Sequence, residues 1–211
     1  MRRFGANGWR VVAGCRTPDH ASDLSRLAET HNVEIKMLDV ASAENVETFA
    51  RELGDQTIDI LINNAGVFGG DHQSQHNMNY DAWLEAFEVN TLAPFRLAAA
   101  LKSNLLRSGR PRIVTVSSQM GALSRKSTGS FAYRSSKAAV NKVMQVLALE
   151  LEADGIIVCP VHPGWVQTDM GGASAEISAS ESAAGLFQLI TNLTMGQSGR
   201  FWTWEGKEHE W

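Results

Sequence analysis

A strand, a helix and a second strand are predicted in direct succession for residues 112–117 (R-I-V-T-V-S), 131–153 (F-A-Y-R-S-S-K-A-A-V-N-K-V-M-Q-V-L-A-L-E-L-E-A) and 155–161 (G-I-I-V-C-P-V). The two outer runs have the length and apolar character of buried strands, and the stretch between them has the length and amphipathic pattern of a helix. Strands joined by a helix run parallel, because the helix returns the chain to the same end of the sheet. The segment therefore predicts an α/β protein.

The same alternation extends toward both ends of the chain. Further strands are predicted at residues 9–15, 33–40, 58–63 and 200–203, and further helices at 21–30, 42–54, 80–107 and 178–193. A polar loop is predicted at residues 69–79, and no repeat or linker interrupts the pattern. We therefore expect one domain over residues 1–211, with a three-layer, doubly wound parallel sheet of the Rossmann-like type.

Composition excludes several classes of function. The 211 residues carry a formal net charge of −4, which argues against nucleic acid or an anionic membrane as the main partner. The apolar runs are too short to cross a bilayer, and the first residues lack the apolar stretch of a signal peptide. Cys15 and Cys159 do not have the spacing of metal ligands, so no metal site is predicted. We expect a soluble cytoplasmic protein.

Tyr133 and Lys137 lie four residues apart in a predicted helix and so share one face of it. A tyrosine exchanges protons poorly at neutral pH, because its ordinary pKa is about 10. A neighbouring ammonium group favours the phenolate and lowers that pKa. The same spacing also occurs on ordinary helix surfaces, so the pair indicates a catalytic site only when other motifs accompany it.

Polar residues follow two of the predicted strands at their carboxyl ends, where ligands bind in parallel sheets. Ser117 and Ser118 end one strand, where a hydroxyl can donate to a carbonyl oxygen that gains negative charge, although two turn-forming serines are the plainer interpretation. Residues 63–66 (N-N-A-G) follow another, and small residues there let a flat ligand approach the backbone. Asn90 lies inside a predicted helix, where asparagine is unfavourable, so we expect its side chain to have a specific role.

These four features, in this order, resemble the pattern of the short-chain dehydrogenase/reductase (SDR) family over nearly the whole chain. The resemblance implies an enzyme that acts on CH–OH or C=O groups, with Tyr133 as the general acid/base. It implies that Lys137 lowers the pKa of that tyrosine and binds the nicotinamide ribose. Ser118 would orient the substrate oxygen, because Gly121 follows it at the family's spacing. Asn90 would hold a water that relays protons to the lysine.

The resemblance also implies a cofactor site. Arg16 stands where an acidic residue would bind the ribose of NAD, and its guanidinium suits the 2′-phosphate of NADP, so NADP(H) is favoured over NAD(H). A solvated loop arginine is the plainer interpretation. The other residues assigned to the cofactor are Asp39 and Val40 near the adenine, Asn63, Ala65 and Gly66 after the fourth family strand, Pro163, Gly164, Val166 and Thr168 near the nicotinamide, and Tyr133 with Lys137.

The first strand of the family and its glycine-rich pyrophosphate loop have no counterpart. Residues 9–15 match the second family strand, and residues 1–8 resemble the end of the helix before it. We therefore expect a fold shortened at its N-terminus by about one βα unit. The missing strand is central in the order 3-2-1-4-5-6, so its loss leaves a gap of about 10 Å. The former neighbours would close up, accept another segment or keep two unpaired edges.

Two functions remain open from the sequence. Residues 198–211, together with residues 162–165, resemble the C-factor or carbonyl-reductase-like branch of the family. One function is an NADP(H)-dependent oxidoreductase that reduces a carbonyl or oxidises a secondary alcohol. The other is a non-catalytic or cofactor-weak signalling or interaction protein, which the missing loop favours. Trp165 and residues 68–72 would either shape a substrate pocket or form plain surface.

The partners expected from the resemblance are a small-molecule carbonyl or alcohol substrate and further copies of this chain. SDR subunits often pair through their two long helices, here about residues 81–107 and 131–153. A homodimer or homotetramer is therefore expected. Burial inside the subunit explains the apolar run at residues 97–101 equally well.

Overall fold

The computed structural model describes all 211 residues, which form two compact units, Met1–Gly54 and Asp55–Trp211. Parallel strands alternate with helices in both units. The predicted α/β, Rossmann-like fold class is therefore confirmed. None of the helices has the combination of length and apolar composition that crossing a membrane requires.

The first unit is built on a two-stranded parallel sheet. Its strands, β1 and β2, are in register from the pair Val11 and Val33 to the pair Cys15 and Met37. The elements of this unit, in order, are α1 (Arg2–Ala6), β1 (Val11–Cys15), a 3₁₀ turn (Pro18–His20), α2 (Ser22–Thr30), β2 (Val33–Met37) and α3 (Ala43–Leu53).

Both ends of helix α3 are capped. The Ser42 side chain accepts a hydrogen bond from the Asn45 amide at the start of α3, and Gly54 ends the helix with a φ of 53°. A residue with a side chain adopts that backbone conformation only at a cost, which explains the glycine. The helix buries Val46, Phe49 and Leu53, which lie on one face of it.

The second unit is built on a four-stranded sheet in the order β3-β6-β7-β8, with all neighbours parallel. Its first elements are β3 (Ile60–Asn63), the antiparallel hairpin β4 (Gln73–Ser74) and β5 (Asn77–Met78), α4 (Tyr80–Phe87), a π-helical turn (Glu88–Leu92), α5 (Ala93–Ala100) and α6 (Lys102–Leu105). The others are β6 (Arg112–Val116), a 3₁₀ turn (Gln119–Gly121), α7 (Phe131–Glu150), β7 (Ile157–His162), α8 (Ala179–Asn192), a 3₁₀ turn (Met195–Gln197) and β8 (Trp202–Thr203).

The core of the second unit lies between α7 and the sheet. Helix α7 presents Val140, Met144 and Leu147 on its buried face, and they pack with Ile113 and Val158 from the strands. Burial of one such side chain contributes about 1.5–3 kcal/mol relative to exposure. This packing fixes α7 against β6 and β7.

Each sheet ends in a strand with one unpaired edge. Strand β1 pairs with β2 as its single neighbour, and β3 pairs in the same way with β6 alone.

Candidate active site

Ser118 and Ser117 follow β6, and their side chains have different partners. The Ser118 hydroxyl accepts a hydrogen bond of 3.1 Å from the Met120 amide, and it lies near enough to the Tyr133 phenol to act on the pKa of that group. The Ser117 hydroxyl donates to Asn141 Oδ1 at 2.6 Å, inside the unit. The structure therefore joins Ser118, and not Ser117, to the tyrosine.

Gly121 explains why the chain can bring Ser118 so close to α7. A Cβ atom at this position would lie 2.6 Å from the carbonyl carbon of Lys137 and 2.8 Å from the amide nitrogen of Ala138. Those atoms are backbone and cannot move aside without shifting the helix. A glycine is therefore required where the loop after β6 crosses α7.

Tyr133 and Lys137 lie one turn apart on α7, as predicted. Lys137 is buried, with 4% of its surface exposed, and its Nζ lies 5.8 Å from the centre of the Tyr133 ring. That nitrogen donates to the carbonyl oxygen of Val116, the last residue of β6, at 2.8 Å. The lysine therefore sits between the tyrosine and the carboxyl end of β6.

The pKa of Tyr133 is raised from its ordinary value, whereas the sequence predicted that it would be lowered. Burial raises the pKa of Tyr133, while the nearby Ser118 hydroxyl acts to lower that pKa. Burial also lowers the pKa of Lys137 to about 8. The lysine does not contact the phenol oxygen directly, so desolvation of the tyrosine is the larger effect.

Asn90 fixes the loop that follows β3. It lies in the π-helical turn, where its Oδ1 accepts from the Val67 amide and its Nδ2 donates to the Val67 carbonyl, both at 2.9 Å. Its Nδ2 also donates to the Ser136 hydroxyl at 2.9 Å. The predicted special role of this asparagine is therefore visible as a clamp between the loop and α7, and the proton-relay water remains a prediction.

Gly66 lies beside Lys137 in that loop. A Cβ atom on Gly66 would stand 3.2 Å from Asn90 Oδ1 and 3.5 Å from Lys137 Nζ. Asn63, at the end of β3, donates to Thr115 at 3.1 Å, and its buried Oδ1 has no hydrogen-bond partner. Ala65 is exposed between them. The bare backbone of Gly66 beside the lysine and the unused Asn63 acceptor fit a flat ligand.

The residues predicted to cover the nicotinamide form a loop after β7 that is held by its own hydrogen bonds. Gly164 has a φ of 87°, and Pro163 accepts a bond of 2.6 Å from Ser182. Val166 forms a β-bridge with Ile177. The Thr168 hydroxyl accepts from the Gly171 amide at 3.0 Å, so its predicted contact with a carboxamide remains a prediction.

Three predicted cofactor residues lie in the first unit. Arg16 directly follows β1 and is exposed, and Asp39 and Val40 follow β2. Because β1 and β2 are parallel, all three stand at the carboxyl edge of that sheet. An Asp39 carboxylate oxygen accepts from the Ala41 amide at 3.0 Å.

Two further residues lie at the tyrosine: Phe68, which belongs to the predicted pocket or surface residues 68–72, and Ser136, to which the sequence assigned no role. The Phe68 ring stacks on the Tyr133 ring, with 5.0 Å between centroids. Ser136, between Tyr133 and Lys137, receives the Asn90 bond and donates to the Tyr133 carbonyl at 2.9 Å. Nothing in the local pattern distinguishes Ser136 from an ordinary helical serine. The aromatic character of Phe68 in a polar loop was a signal for its role.

These features together define an α/β protein with a serine, a tyrosine and a lysine gathered at the carboxyl end of a parallel sheet. Residues 1–178 match the model of the short chain dehydrogenase family, and the chain belongs to that family of oxidoreductases. Its predicted likeness to the C-factor or carbonyl-reductase branch is also confirmed by relatives of both kinds.

Three relatives illustrate the likeness. The chain is 36% identical to C-signal of Myxococcus xanthus over 172 residues, which cover 79% of this chain and 100% of that protein. It is 35% identical to 1-hydroxy-2-glutathionyl-2-methyl-3-butene dehydrogenase of Rhodococcus sp. strain AD45, over 100% of this chain and 92% of the relative. The NADPH-bound carbonyl reductase from chicken fatty liver superposes with a TM-score of 0.89 at 31% identity, over 95% of this chain and 87% of the other.

Proposed function

We propose that the chain is an NADP(H)-dependent oxidoreductase that reduces a carbonyl or oxidises a secondary alcohol, with Tyr133 as the general acid/base. The observation that carries the proposal is that Ser118 and Tyr133 lie next to each other, beside the buried Lys137. A structural serine, tyrosine and lysine have no physical need to converge in this way. The carbonyl reductase relatives support the same reaction class.

The roles of these side chains follow from their chemistry. Ser118 would hold the substrate oxygen, because its hydroxyl lies close enough to the tyrosine to act on the pKa of the phenol. Tyr133 would give its proton to that oxygen during reduction and take the proton back during oxidation. Lys137, which is cationic below a pKa of about 8, would stabilise the phenolate that remains.

NADP(H), when bound, supplies or accepts the hydride. The space beside Gly66 and the unused Asn63 acceptor fit a flat ring next to Lys137. Arg16 would bind the 2′-phosphate and so select NADP(H). The other residues that would hold the cofactor are Asp39, Val40, Ala65, Tyr133, Pro163, Gly164, Val166 and Thr168.

A calorimetric titration of the 211-residue chain with NADPH and with NADH tests the cofactor assignment. We expect NADPH to bind more tightly, and the variant Arg16→Glu to lose about 10–100-fold in NADPH affinity, since a charge-assisted hydrogen bond contributes about 1.5–3 kcal/mol. Arg51→Glu is the matched control, because Arg51 is exposed in the same unit and its side chain bonds Thr48. Absence of binding by a folded chain would contradict the assignment.

A second candidate function is non-catalytic signalling. The match to C-signal, which extends over the whole of that protein, favours it. The variant Tyr133→Phe separates the two functions in any assay of a biological effect. A lost effect supports chemistry, and a retained effect supports an interaction surface.

We further propose a homodimer or homotetramer built through α4, α5 and α7. Large apolar side chains on these helices are exposed, among them Leu84 and Leu149. Exposed apolar area of this kind marks interaction surfaces. The cytoplasmic location stays a prediction.

A further inference from the structure

Gln73 is a buried polar residue whose carboxamide is fully used. It lies in β4 with 7% of its surface exposed. Its Nε2 donates to the carbonyl oxygens of Phe68 and Gly70, at 2.9 and 2.8 Å. Its Oε1 accepts from the backbone amide of Tyr133 at 3.1 Å. One side chain thus joins the loop after β3 to the first turn of α7.

The bond to Tyr133 replaces a missing helix cap. The first amides of a helix have no partner inside the helix, and the side chain of the residue before it usually satisfies one of them. Ser130, which precedes α7, has a φ of 52° and makes no such bond with its side chain. Gln73 therefore supplies from 60 residues away the acceptor that the local sequence does not.

The bonds to Phe68 and Gly70 fix the other side of the tyrosine. The Phe68 ring stacks on Tyr133 and is itself 40% exposed. Gly69, which lies between Phe68 and Gly70 in the chain, has a φ of 90°. A Cβ atom on Gly69 would lie 2.7 Å from Cβ of Ala132. The loop therefore rests directly on the first turn of α7, in a conformation that needs the glycine.

A shallow cavity of about 220 Å³ opens beside this contact. Phe68 forms its apolar wall, and Asp71, His72 and Gln73 contribute polar groups. The shape of the cavity depends on where the loop is held. Gln73 is thus the common support of the tyrosine, the ring stacked on it and the cavity next to them.

We propose that Gln73 is a positioning residue for Tyr133 and, through Phe68, determines which substrates reach it. The proposal rests on the function proposed above. The acceptor half of the carboxamide holds the tyrosine, and the donor half holds the loop. A displacement of the reacting group of about 1 Å can reduce the rate by about 10²-fold.

Three variants test the proposal. Gln73→Met has a similar shape and makes none of the bonds, whereas Gln73→Glu keeps the acceptor for Tyr133 and loses the donors for the loop. Gln75→Met is the matched control, because Gln75 is exposed and its side chain contacts only the neighbouring His76. The measurements are NADPH affinity, and kcat and KM for a small and a bulky carbonyl substrate.

We expect Gln73→Met to lower kcat by about 10²-fold for both substrates while NADPH affinity falls far less than kcat. Gln73→Glu should keep more of kcat than Gln73→Met and lose discrimination between the two substrates, seen in KM. Gln75→Met should match the unaltered chain. Unchanged kcat and KM in folded Gln73→Met, or NADPH affinity that falls in parallel with kcat, would overturn the proposal.

Amide hydrogen exchange separates this proposal from the proposed function. If the unaltered chain turns over no carbonyl, the proposed function fails, but exchange at the Tyr133 amide still reports on Gln73. That exchange should be faster in Gln73→Met and unchanged in Gln75→Met. Equal exchange in both would overturn the positioning role. If Gln73→Met does not fold, Gln73→Glu decides the matter through loss of substrate discrimination.

Discussion

Two adjacent serines, Ser117 and Ser118, show how strongly the surroundings of a residue determine the partner of its side chain. Ser118 lies beside Tyr133 and Ser117 is hydrogen-bonded to Asn141, because neighbouring side chains of an extended chain point in opposite directions. The sequence predicted the choice of Ser118 from its spacing to Gly121. The structure gives that spacing a cause, since a side chain at Gly121 would collide with the backbone of α7.

Removing the Ser118 hydroxyl should separate catalysis from stability. We expect Ser118→Ala to lower kcat/KM by about 10²–10³-fold, the usual effect of losing one donor to the reacting oxygen. Because the Ser118 hydroxyl lowers the pKa of Tyr133, its loss should also move the tyrosine-dependent limb of the pH–rate profile to higher pH.

The matched variant is Ser117→Ala. It should lower the free energy of unfolding by about 1–3 kcal/mol, because it leaves a buried acceptor on Asn141 without its donor. Turnover per folded molecule should hardly change. A larger loss of turnover in Ser117→Ala than in Ser118→Ala would contradict the assignment.

At the scale of elements, periodicity predicted most helices and strands but missed their interruptions. Residues 80–107 were predicted as one helix, and the structure breaks it at Glu88–Leu92 and again before α6. Pro94 has no amide hydrogen to donate to the carbonyl of Asn90, so a regular helix cannot continue there. Hydrophobic periodicity averages over many residues, so it does not reveal the loss of one backbone hydrogen bond.

The hydrophobic pattern of the sequence also failed to predict short elements and the exact ends of strands. The predicted loop 69–79 contains the hairpin β4–β5, whose strands have two residues each and show no measurable alternation. The strand predicted to begin at Trp9 begins at Val11, because the Trp9 ring packs edge-on against Phe4 and its amide bonds the Phe4 carbonyl. The strand predicted to reach Val40 ends at Met37, before the turn in which Asp39 bonds the Ala41 amide.

His162, the last residue of β7, should make the folded state less stable in acid. Burial, and the nearby charges of His209 and Arg125, lower the pKa of His162 from 6.5 to about 4. Between these values the unfolded chain binds a proton that the folded chain does not, so stability is lost as pH falls from 6.5 toward 4. The full effect is about 3 kcal/mol.

Urea unfolding at pH 7 and at pH 4.5 measures this effect. The variant His162→Phe should lose less stability between the two pH values than the unaltered chain. His76→Phe, at an exposed position in the β4–β5 turn, is the control and should behave like the unaltered chain. An equal loss in His162→Phe and the unaltered chain would show that another group titrates.

At the scale of the whole molecule, the fold class followed from the alternation of strands and helices, but the two sheets and their edges did not. Which strands pair is set by contacts between distant residues, and the sequence pattern does not contain them. The candidate site was predictable in its second-unit members, because Ser118, Tyr133 and Lys137 occur in a recognisable order. Gln73 was not, because its role arises from a contact with Tyr133 across 60 residues.

The proposed oligomer gives a direct physical test. Leu84 on α4 and Leu149 on α7 are 70% and 71% exposed, so a charge at either position costs little in an isolated subunit. We expect Leu84→Lys and Leu149→Lys to weaken self-association in analytical ultracentrifugation. Leu123→Lys is the control, because Leu123 is equally exposed but lies in the loop after Gly121. A monomeric unaltered chain at every concentration would contradict the proposal.

NADPH oxidation by the unaltered chain and by Tyr133→Phe, measured in the presence of carbonyl substrates, tests directly whether Tyr133 transfers the proton in an NADPH-dependent reduction. Tyr80→Phe is the matched control, since Tyr80 is the only other tyrosine. We expect Tyr133→Phe to lower kcat by about 10²–10⁴-fold, the contribution of a positioned acid, while NADPH affinity falls far less and the Tyr80→Phe activity stays unchanged. Equal turnover by Tyr133→Phe and the unaltered chain would contradict proton transfer by Tyr133.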